Sequence, residues 1–171
     1  MADSRILIVY YSRSGTTRKV AKSLAAALTC DSEEILDLKS RTGFLGYMRS
    51  LLEARRQTPA AIAAPVRNPS SYDLIIIGTP VWVWSVSSPV RAYLAANKAR
   101  LPAVAFFCTL GGAGSDHAFA QMQDLAGKSP RACLGLTARD AAAGGYEPRL
   151  ARFVQALQPP ASAAPTAASA A

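Results

Sequence analysis

The stretch RILIVYYSRSGTTRKVAKSLAAAL, residues 5–28, passes from an apolar run through a loop of hydroxyl side chains into a segment of helical period. The run Arg5–Tyr11 is rich in β-branched and aromatic residues without polar alternation, which is typical of a strand buried on both faces. Val20, Leu24 and Leu28 then recur at the spacing of one helix face. The stretch therefore predicts a buried strand, a polar loop and an amphipathic helix.

The same succession of strand and helix continues along the chain. Further strands are predicted at Glu33–Leu38, Asp73–Gly78, Ala103–Cys108 and Ala132–Thr137. Helical period returns at Val90, Tyr93, Leu94 and Asn97, at Phe119, Met122 and Ala126, and at Leu150, Phe153, Val154 and Leu157. Ser88 is a predicted N-cap with Pro89 at the first helical position, and Pro148 marks the start of the last helix in the same way. Buried strands that alternate with helices predict right-handed crossovers and a parallel sheet with helices on both faces, a doubly wound α/β fold.

Two segments lie outside this alternation. Residues 43–57 place their larger apolar side chains, including Met48 and Leu52, on one helical face, which predicts an amphipathic helix over one sheet edge. Residues 158–171 carry no charge and no large apolar side chain, so we expect a disordered Ala/Pro-rich tail. We expect residues 1–157 to form one domain, because a chain of this length suits a single core.

The sequence contains no run long enough to span a bilayer. The longest candidate, Leu74–Val86, is interrupted by Gly78, Thr79 and Pro80. The N-terminus leads from Met1 into the first strand without the apolar core of a secretory signal. We therefore expect a cytoplasmic protein with no membrane span.

The chain carries 19 Lys and Arg against 11 Asp and Glu, a formal net charge of +8. The closest basic clusters, Arg18–Lys22 and Arg55–Arg56, are short, fall on predicted helices and lack the interleaved aromatic residues of a nucleic-acid surface. We therefore expect no nucleic-acid partner. Cys30, Cys108 and Cys133 lack the spacing of a metal site or a dithiol motif, so they are predicted to be small core residues.

Ligands of an open parallel sheet bind in loops beyond the carboxyl ends of the strands, beside the point where strand order reverses. The first such loop precedes a helix predicted to begin near Arg18, and its residues are Ser12, Arg13, Ser14, Gly15, Thr16 and Thr17. Hydroxyl and backbone N–H donors at the positive end of a helix dipole suit a phosphate monoester. Helix capping needs only one of the four hydroxyls. The loop is therefore predicted to bind an anion.

The loops after the third and fourth predicted strands are also unusual. The first of them holds both tryptophans of the chain, and its residues are Thr79, Pro80, Val81, Trp82, Val83 and Trp84. Indole rings beside a crevice suit stacking on a flat aromatic ligand, although one of the pair could equally pack under the following helix. The other loop is rich in glycine, and its residues include Thr109, Leu110, Gly111, Gly112 and Gly114. Glycines there let backbone amides approach a ligand closely, or simply form a tight turn.

With these loops in place, the sequence resembles the flavodoxin family from Arg5 to Leu157. The pattern Ile8-Val9-Tyr10-x-Ser12-x-x-Gly15-x-Thr17-x-x-x-Ala21-x-x-Leu24 fits the family signature at every constrained position. The resemblance implies a flavodoxin-like three-layer α/β/α sandwich with a five-stranded parallel sheet in the order 2-1-3-4-5. It implies FMN as the cofactor, with the phosphate held by residues 12–17. It further implies that residues 79–84 lie along one flank of the isoalloxazine, with residues 109–114 along its pyrimidine edge or opposite flank.

Short-chain members with a Thr-Pro-Val-Trp loop are the most similar, which implies reversible electron transfer through bound FMN, with NAD(P)H as a donor and a quinone-like molecule as acceptor. A one-electron carrier that serves a redox protein and a cofactor-free binding module are the alternatives. Carrier flavodoxins are typically acidic, whereas this chain is basic. Arg13, Arg18, Lys19 and Arg91 lie on or just beyond the cofactor loops, so part of the positive charge is predicted to surround the flavin rim. The flavin itself performs the redox step, so no catalytic side chain is predicted. Monomer and dimer both remain open.

Overall fold

The computed structural model describes residues 5–38, 45, 46, 48, 52, 56 and 59–158 of the chain. The strands are β1 (Ile6–Tyr10), β2 (Asp31–Glu34), β3 (Leu74–Trp82), β4 (Ser85–Val86), β5 (Ala103–Leu110) and β6 (Cys133–Thr137). The helices are α1 (Thr16–Leu28), α2 (Ser88–Asn97), α3 (Ser115–Ala126), α4 (Ala138–Ala143) and α5 (Glu147–Leu157). Short 3-10 helices lie at Pro69–Ser71 and Lys98–Arg100.

Five strands form a parallel sheet in the order β2-β1-β3-β5-β6, and β4 pairs antiparallel with the end of β3. The parallel part confirms the predicted order 2-1-3-4-5 and the flavodoxin-like α/β sandwich. Strand β4 was not predicted, because two residues are too few for a periodic signal in the sequence.

The core consists of two apolar layers, one on each face of the sheet. Leu7 and Val9 of β1 point into the layer that includes Tyr93 of α2 and Met122 of α3. The alternate residues of β1 point into the other layer, which includes Leu24 of α1 and residues of α5. Because β1, β3 and β5 are buried on both faces, their sequences are continuous apolar runs, and this is why they could be predicted. Strand β6 lies at the sheet edge and buries Leu134 and Leu136 on one face.

Strand β2 was predicted at Glu33–Leu38, and this placement is wrong by two residues at the start and four at the end. β1 pairs with Asp31–Glu34, and pairing ends there because β1 itself ends at Tyr10. Beyond Glu34 the backbone forms hydrogen bonds with a different segment: the Leu38 amide donates to the Ala61 carbonyl at 2.9 Å. Pairing with the neighbouring strand, and not hydropathy, sets the limits of this edge strand.

Strands β3 and β4 form a hairpin where the sequence predicted a loop. β3 continues past Gly78 to Trp82, and Val81 and Trp82 pair with Val86 and Ser85. The two turn residues, Val83 and Trp84, have φ values of 47° and 63°. A two-residue hairpin of this kind favours Asn and Gly, and a β-branched residue at positive φ is strained.

Replacing Val83 with asparagine is therefore expected to raise the free energy of unfolding by about 1 kcal/mol, because asparagine adopts the left-handed conformation more easily. Val83 is half exposed, so little apolar contact is lost. Urea denaturation measures the change. The control is Val66→Asn, because Val66 is also exposed but does not have a positive φ value. Equal effects of the two substitutions would show that the turn is unstrained.

Two helix starts differ from the prediction. Helix α1 begins at Thr16, two residues before the predicted start near Arg18. Helix α2 begins at Ser88, so its N-cap is Ser87 and not Ser88. The Ser87 hydroxyl does not cap the helix, because it lies 3.0 Å from the Thr79 hydroxyl.

Most of the predicted amphipathic helix at 43–57 lies outside the described residues, as does the predicted tail beyond Gln158. The residues that are described within 43–57 are helical, and Met48 and Leu52 among them are exposed. None of the described helices is long and apolar enough to cross a bilayer.

Candidate functional site

A cavity of about 210 Å³ opens at the carboxyl ends of β1, β3 and β5. Its walls come from all three loops singled out in the sequence, and the lining residues are Arg13, Ser14, Thr16, Thr17, Pro80, Val81, Trp82, Thr109, Leu110, Gly111 and Ala138. Because β1, β3 and β5 are parallel neighbours, the loops that follow them lie at the same edge of the sheet, as expected for a ligand site in a doubly wound fold.

A larger, open depression of about 760 Å³ lies at the opposite end of the sheet. Its lining includes Ile6 and Asp31, the first residues of β1 and β2, so it lies at the amino ends of the strands. The cavity at the carboxyl ends is the candidate site because position in the fold and the chemistry of the lining agree there, whereas size alone favours the other depression.

The first loop forms an uncapped helix N-terminus beside the cavity. The buried Ser12 hydroxyl accepts a hydrogen bond from the Gly15 amide at 3.1 Å. Gly15 has φ +93° and is the N-cap of α1, and no side chain among the described residues caps this helix. The first turn contains no acidic residue. The amides of this turn and the positive end of the helix dipole are therefore available to an anion.

Thr17 joins the first loop to the third. Its hydroxyl lies 2.8 Å from the hydroxyl of Thr109, and both side chains are buried. The hydrogen bond spans 92 residues of sequence and fixes the α1 N-terminus against the end of β5. The cavity floor is therefore held by a direct contact between the two loops.

The two tryptophans of the second loop have different environments. Trp82 lines the cavity and packs edge-on against Tyr11, with ring centroids 5.7 Å apart. Val83 and Trp84 form the exposed hairpin tip and do not line the cavity. Thr79 is fully buried, accepts a hydrogen bond from the Ser87 amide at 3.1 Å and is not among the lining residues.

The third loop contains glycines of two kinds. Gly111 lines the cavity, and a Cβ at Gly111 or Gly112 would meet no atom within 4 Å. Gly114 has φ +105° and is the N-cap of α3. A Cβ there would lie 3.1 Å from the Cα of Trp84. Gly114 thus allows the turn and the hairpin to approach each other, and like Ser12, Gly15 and Gly112 it is not among the lining residues.

The four basic residues expected on or just beyond the cofactor loops have different environments. Arg13 lines the cavity. Arg18 makes a two-pronged ion pair with Glu34, at 2.8 and 2.7 Å. The Lys19 ammonium donates to the Ala141 carbonyl. Arg91 does not lie on the rim: it is buried, and burial lowers its pKa.

Thiol chemistry is disfavoured at Cys108, which directly precedes the lining residue Thr109. Burial raises the pKa of Cys108 to about 12, so this thiol is protonated at neutral pH. Cys30, at the opposite end of the sheet, also has its pKa raised by burial, to about 11. No cluster of His, Cys, Asp and Glu suited to a metal occurs within the described ranges.

Ala138 is a lining residue that the sequence reasoning missed. It begins α4, directly after β6. Thr137 and Asp140 form a capping box there, with bonds of 2.9 and 3.1 Å. The pattern Thr-x-x-Asp at the end of a predicted strand signals a helix start at the same sheet edge, and it could have directed attention to this loop.

The model of the flavodoxin family matches residues 5–134. The flavoprotein from Lactobacillus acidophilus NCFM, solved in complex with FMN, has 22% identity and a TM-score of 0.66, over 84% of this chain and 99% of that one. A candidate flavoprotein from Bacteroides uniformis ATCC 8492 has 21% identity and a TM-score of 0.72, over 89% and 98%. The two-electron reduced flavodoxin of Megasphaera elsdenii has 19% identity and a TM-score of 0.52, over 77% and 85%.

No curated protein matches the chain. At these identities the solved structures establish the fold, and the family assignment rests on the sequence model, which covers most of the chain from β1 into β6. The chain belongs to the flavodoxin family.

Proposed function

We propose that this chain binds FMN in the cavity at the carboxyl ends of β1, β3 and β5 and acts as an FMN-dependent oxidoreductase. The observation that carries the proposal is the composition of this one cavity, which combines an uncapped helix N-terminus, hydroxyl side chains and an indole wall. FMN has a phosphate that suits the first two features and a flat ring system that suits the third.

The donor set of the first loop fits a phosphate. Ser14 and Thr16 are exposed to the cavity with hydroxyls 3.5 Å apart, and Arg13 adds a cation to the same wall. Together with the amides at the start of α1 they would hold the phosphate. Thr17 would support this arrangement through its bond to Thr109.

The remaining walls suit the isoalloxazine. Trp82 offers an aromatic surface, Leu110 is a buried apolar lining residue, and Gly111 is an exposed glycine whose backbone a ligand could approach closely. When bound, FMN supplies reversible one- or two-electron reduction. The protein's residues would bind the ring, orient it and keep one face dry.

The first test is a titration with FMN followed by visible absorbance and by tryptophan emission. FMN is expected to bind and to quench the emission, because Trp82 lines the cavity. In the Trp84→Phe variant most of the quenching should persist, whereas Trp82→Phe should lose most of it. An unchanged flavin spectrum and unchanged tryptophan emission at high FMN would refute the proposal, and equal quenching in the two variants would place the ring elsewhere.

The proposed reaction is reduction of a quinone-like acceptor with NAD(P)H as the donor. The basic balance of the chain and Arg13 at the cavity wall support an anionic donor over docking on a basic redox protein. Reduction of the FMN-loaded protein by NADPH and by a flavodoxin-type reductase should be compared across ionic strength. Fast reduction by the reductase with NADPH inert would favour the one-electron carrier.

A further inference from the structure

Trp82, which forms one wall of the cavity (the Trp82 wall), belongs to the β3–β4 hairpin. Few backbone pairs hold the two strands of this hairpin together. Strand β4 has two residues, and only two residue pairs join it to β3. Both turn residues, Val83 and Trp84, are held at positive φ. A short, strained hairpin is marginal in isolation, so its position depends on contacts with the rest of the protein.

Gln121 of α3 supplies such contacts to both residues of β4. Its side-chain carbonyl accepts a hydrogen bond from the Val86 amide at 3.2 Å, and its amide nitrogen donates to the Ser85 hydroxyl at 3.2 Å. The same carbonyl accepts a third bond, at 2.7 Å, from Nη2 of Arg91. One glutamine side chain therefore joins α3, α2 and β4.

Arg91 explains why Gln121 adopts this orientation. The arginine is 6% exposed, and its Nε has no hydrogen-bond partner among the described residues. None of the ion pairs found in that part of the chain includes Arg91. A buried guanidinium that is not paired with a carboxylate needs a strong hydrogen-bond acceptor. Of the two polar ends of the Gln121 amide, the carbonyl oxygen accepts hydrogen bonds and the nitrogen only donates them, so the oxygen faces Arg91. The amide nitrogen is then directed to Ser85.

We propose that Gln121, oriented by the buried Arg91, is a positioning residue that holds the β3–β4 hairpin and thereby the Trp82 wall of the cavity. Its effect on the hairpin follows from the contacts alone, whereas its effect on cofactor affinity rests on the proposed FMN function.

The test uses the full-length Trp84→Phe protein, in which Trp82 is the only tryptophan. Into it we introduce Gln121→Met, which removes the three hydrogen bonds at similar side-chain length. The matched control is Gln123→Met, because Gln123 is exposed on the same helix. Without FMN, the anisotropy of Trp82 emission is expected to fall in the Gln121 variant and to stay unchanged in the control. With FMN, the dissociation constant is expected to rise about fivefold, the effect of one net hydrogen bond.

Gln121→Glu keeps an oxygen that accepts from both Val86 and Arg91, and it should restore the anisotropy. If Gln121→Met unfolds, Ser85→Ala, which removes a single bond, should lower the anisotropy by a smaller amount. Anisotropy in the Gln121 and Ser85 variants equal to that of the Gln123 control would overturn the proposal. A wild-type protein that binds no FMN would instead refute the proposed function, and the measurement without FMN would still decide the role of Gln121.

Discussion

Replacing Gly78 with alanine is expected to destabilise the protein by about 3 kcal/mol or more. Gly78 lies in the centre of β3, where it pairs with Tyr10 on one side and Phe107 on the other. A Cβ at this position would lie 2.0 Å from Cζ of the Phe107 ring, which is fully buried. Neither the strand nor the ring can move without disturbing the packed core, so the overlap becomes strain.

Urea denaturation of Gly78→Ala against Gly145→Ala measures this effect. A Cβ at Gly145 would meet no atom within 4 Å, so the control should change stability little. Adding Phe107→Leu to Gly78→Ala should recover part of the loss, because the smaller side chain vacates the contested space. Equal stability of the two alanine variants would contradict the packing of β3 against β5.

Replacing Thr17 with valine is expected to weaken FMN binding by about 1–3 kcal/mol, or roughly five- to 150-fold. Valine keeps the shape of threonine but removes the hydroxyl that lies 2.8 Å from the Thr109 hydroxyl. The start of α1 then loses its fixed position against β5, and a buried hydroxyl is left without that partner. Calorimetric titration with FMN gives the change in affinity.

Two variants separate this effect from a general loss of stability. Thr17→Ser keeps the hydroxyl and should bind FMN nearly as well as the wild type. Ser23→Ala removes a hydroxyl from the same helix, but its partner is the Tyr146 hydroxyl at 2.9 Å, away from the cavity lining. Affinity in Thr17→Val equal to that in Ser23→Ala would mean that the hydrogen bond between Thr17 and Thr109 does not support FMN binding.

The sequence was sufficient to predict the elements whose burial determines their composition. Strands β1, β3 and β5 are covered on both faces, and each is visible as an apolar run. Strand β6 is covered on one face, by Leu134 and Leu136. Strand β2 was misplaced because Leu36 and Leu38 look like strand residues but are more than 60% exposed. Strand β4 depends on a turn formed by Val83 and Trp84, which local preference does not favour.

For the site, strand order was enough to predict which loops meet, but not which side chains face the cavity. Ser12 and Thr79 were expected to be polar loop residues like Ser14, yet both form internal hydrogen bonds, and Thr79 lies within β3. Arg91 was expected at the rim from its place after the second loop, and it is buried against Gln121 because α2 turns that face inward. Side-chain direction depends on tertiary packing, which a single sequence does not reveal.

The most direct measurement of the proposed binding mode is calorimetric titration of the wild-type protein with FMN and with riboflavin, which differ only in the phosphate. If the uncapped N-terminus of α1 and the hydroxyls of Ser14 and Thr16 hold the phosphate, FMN should bind at least about 30-fold more tightly, because hydrogen bonds to a charged group are each worth about 1.5–3 kcal/mol. Equal affinities for FMN and riboflavin, or no binding of FMN, would contradict this placement of the cofactor.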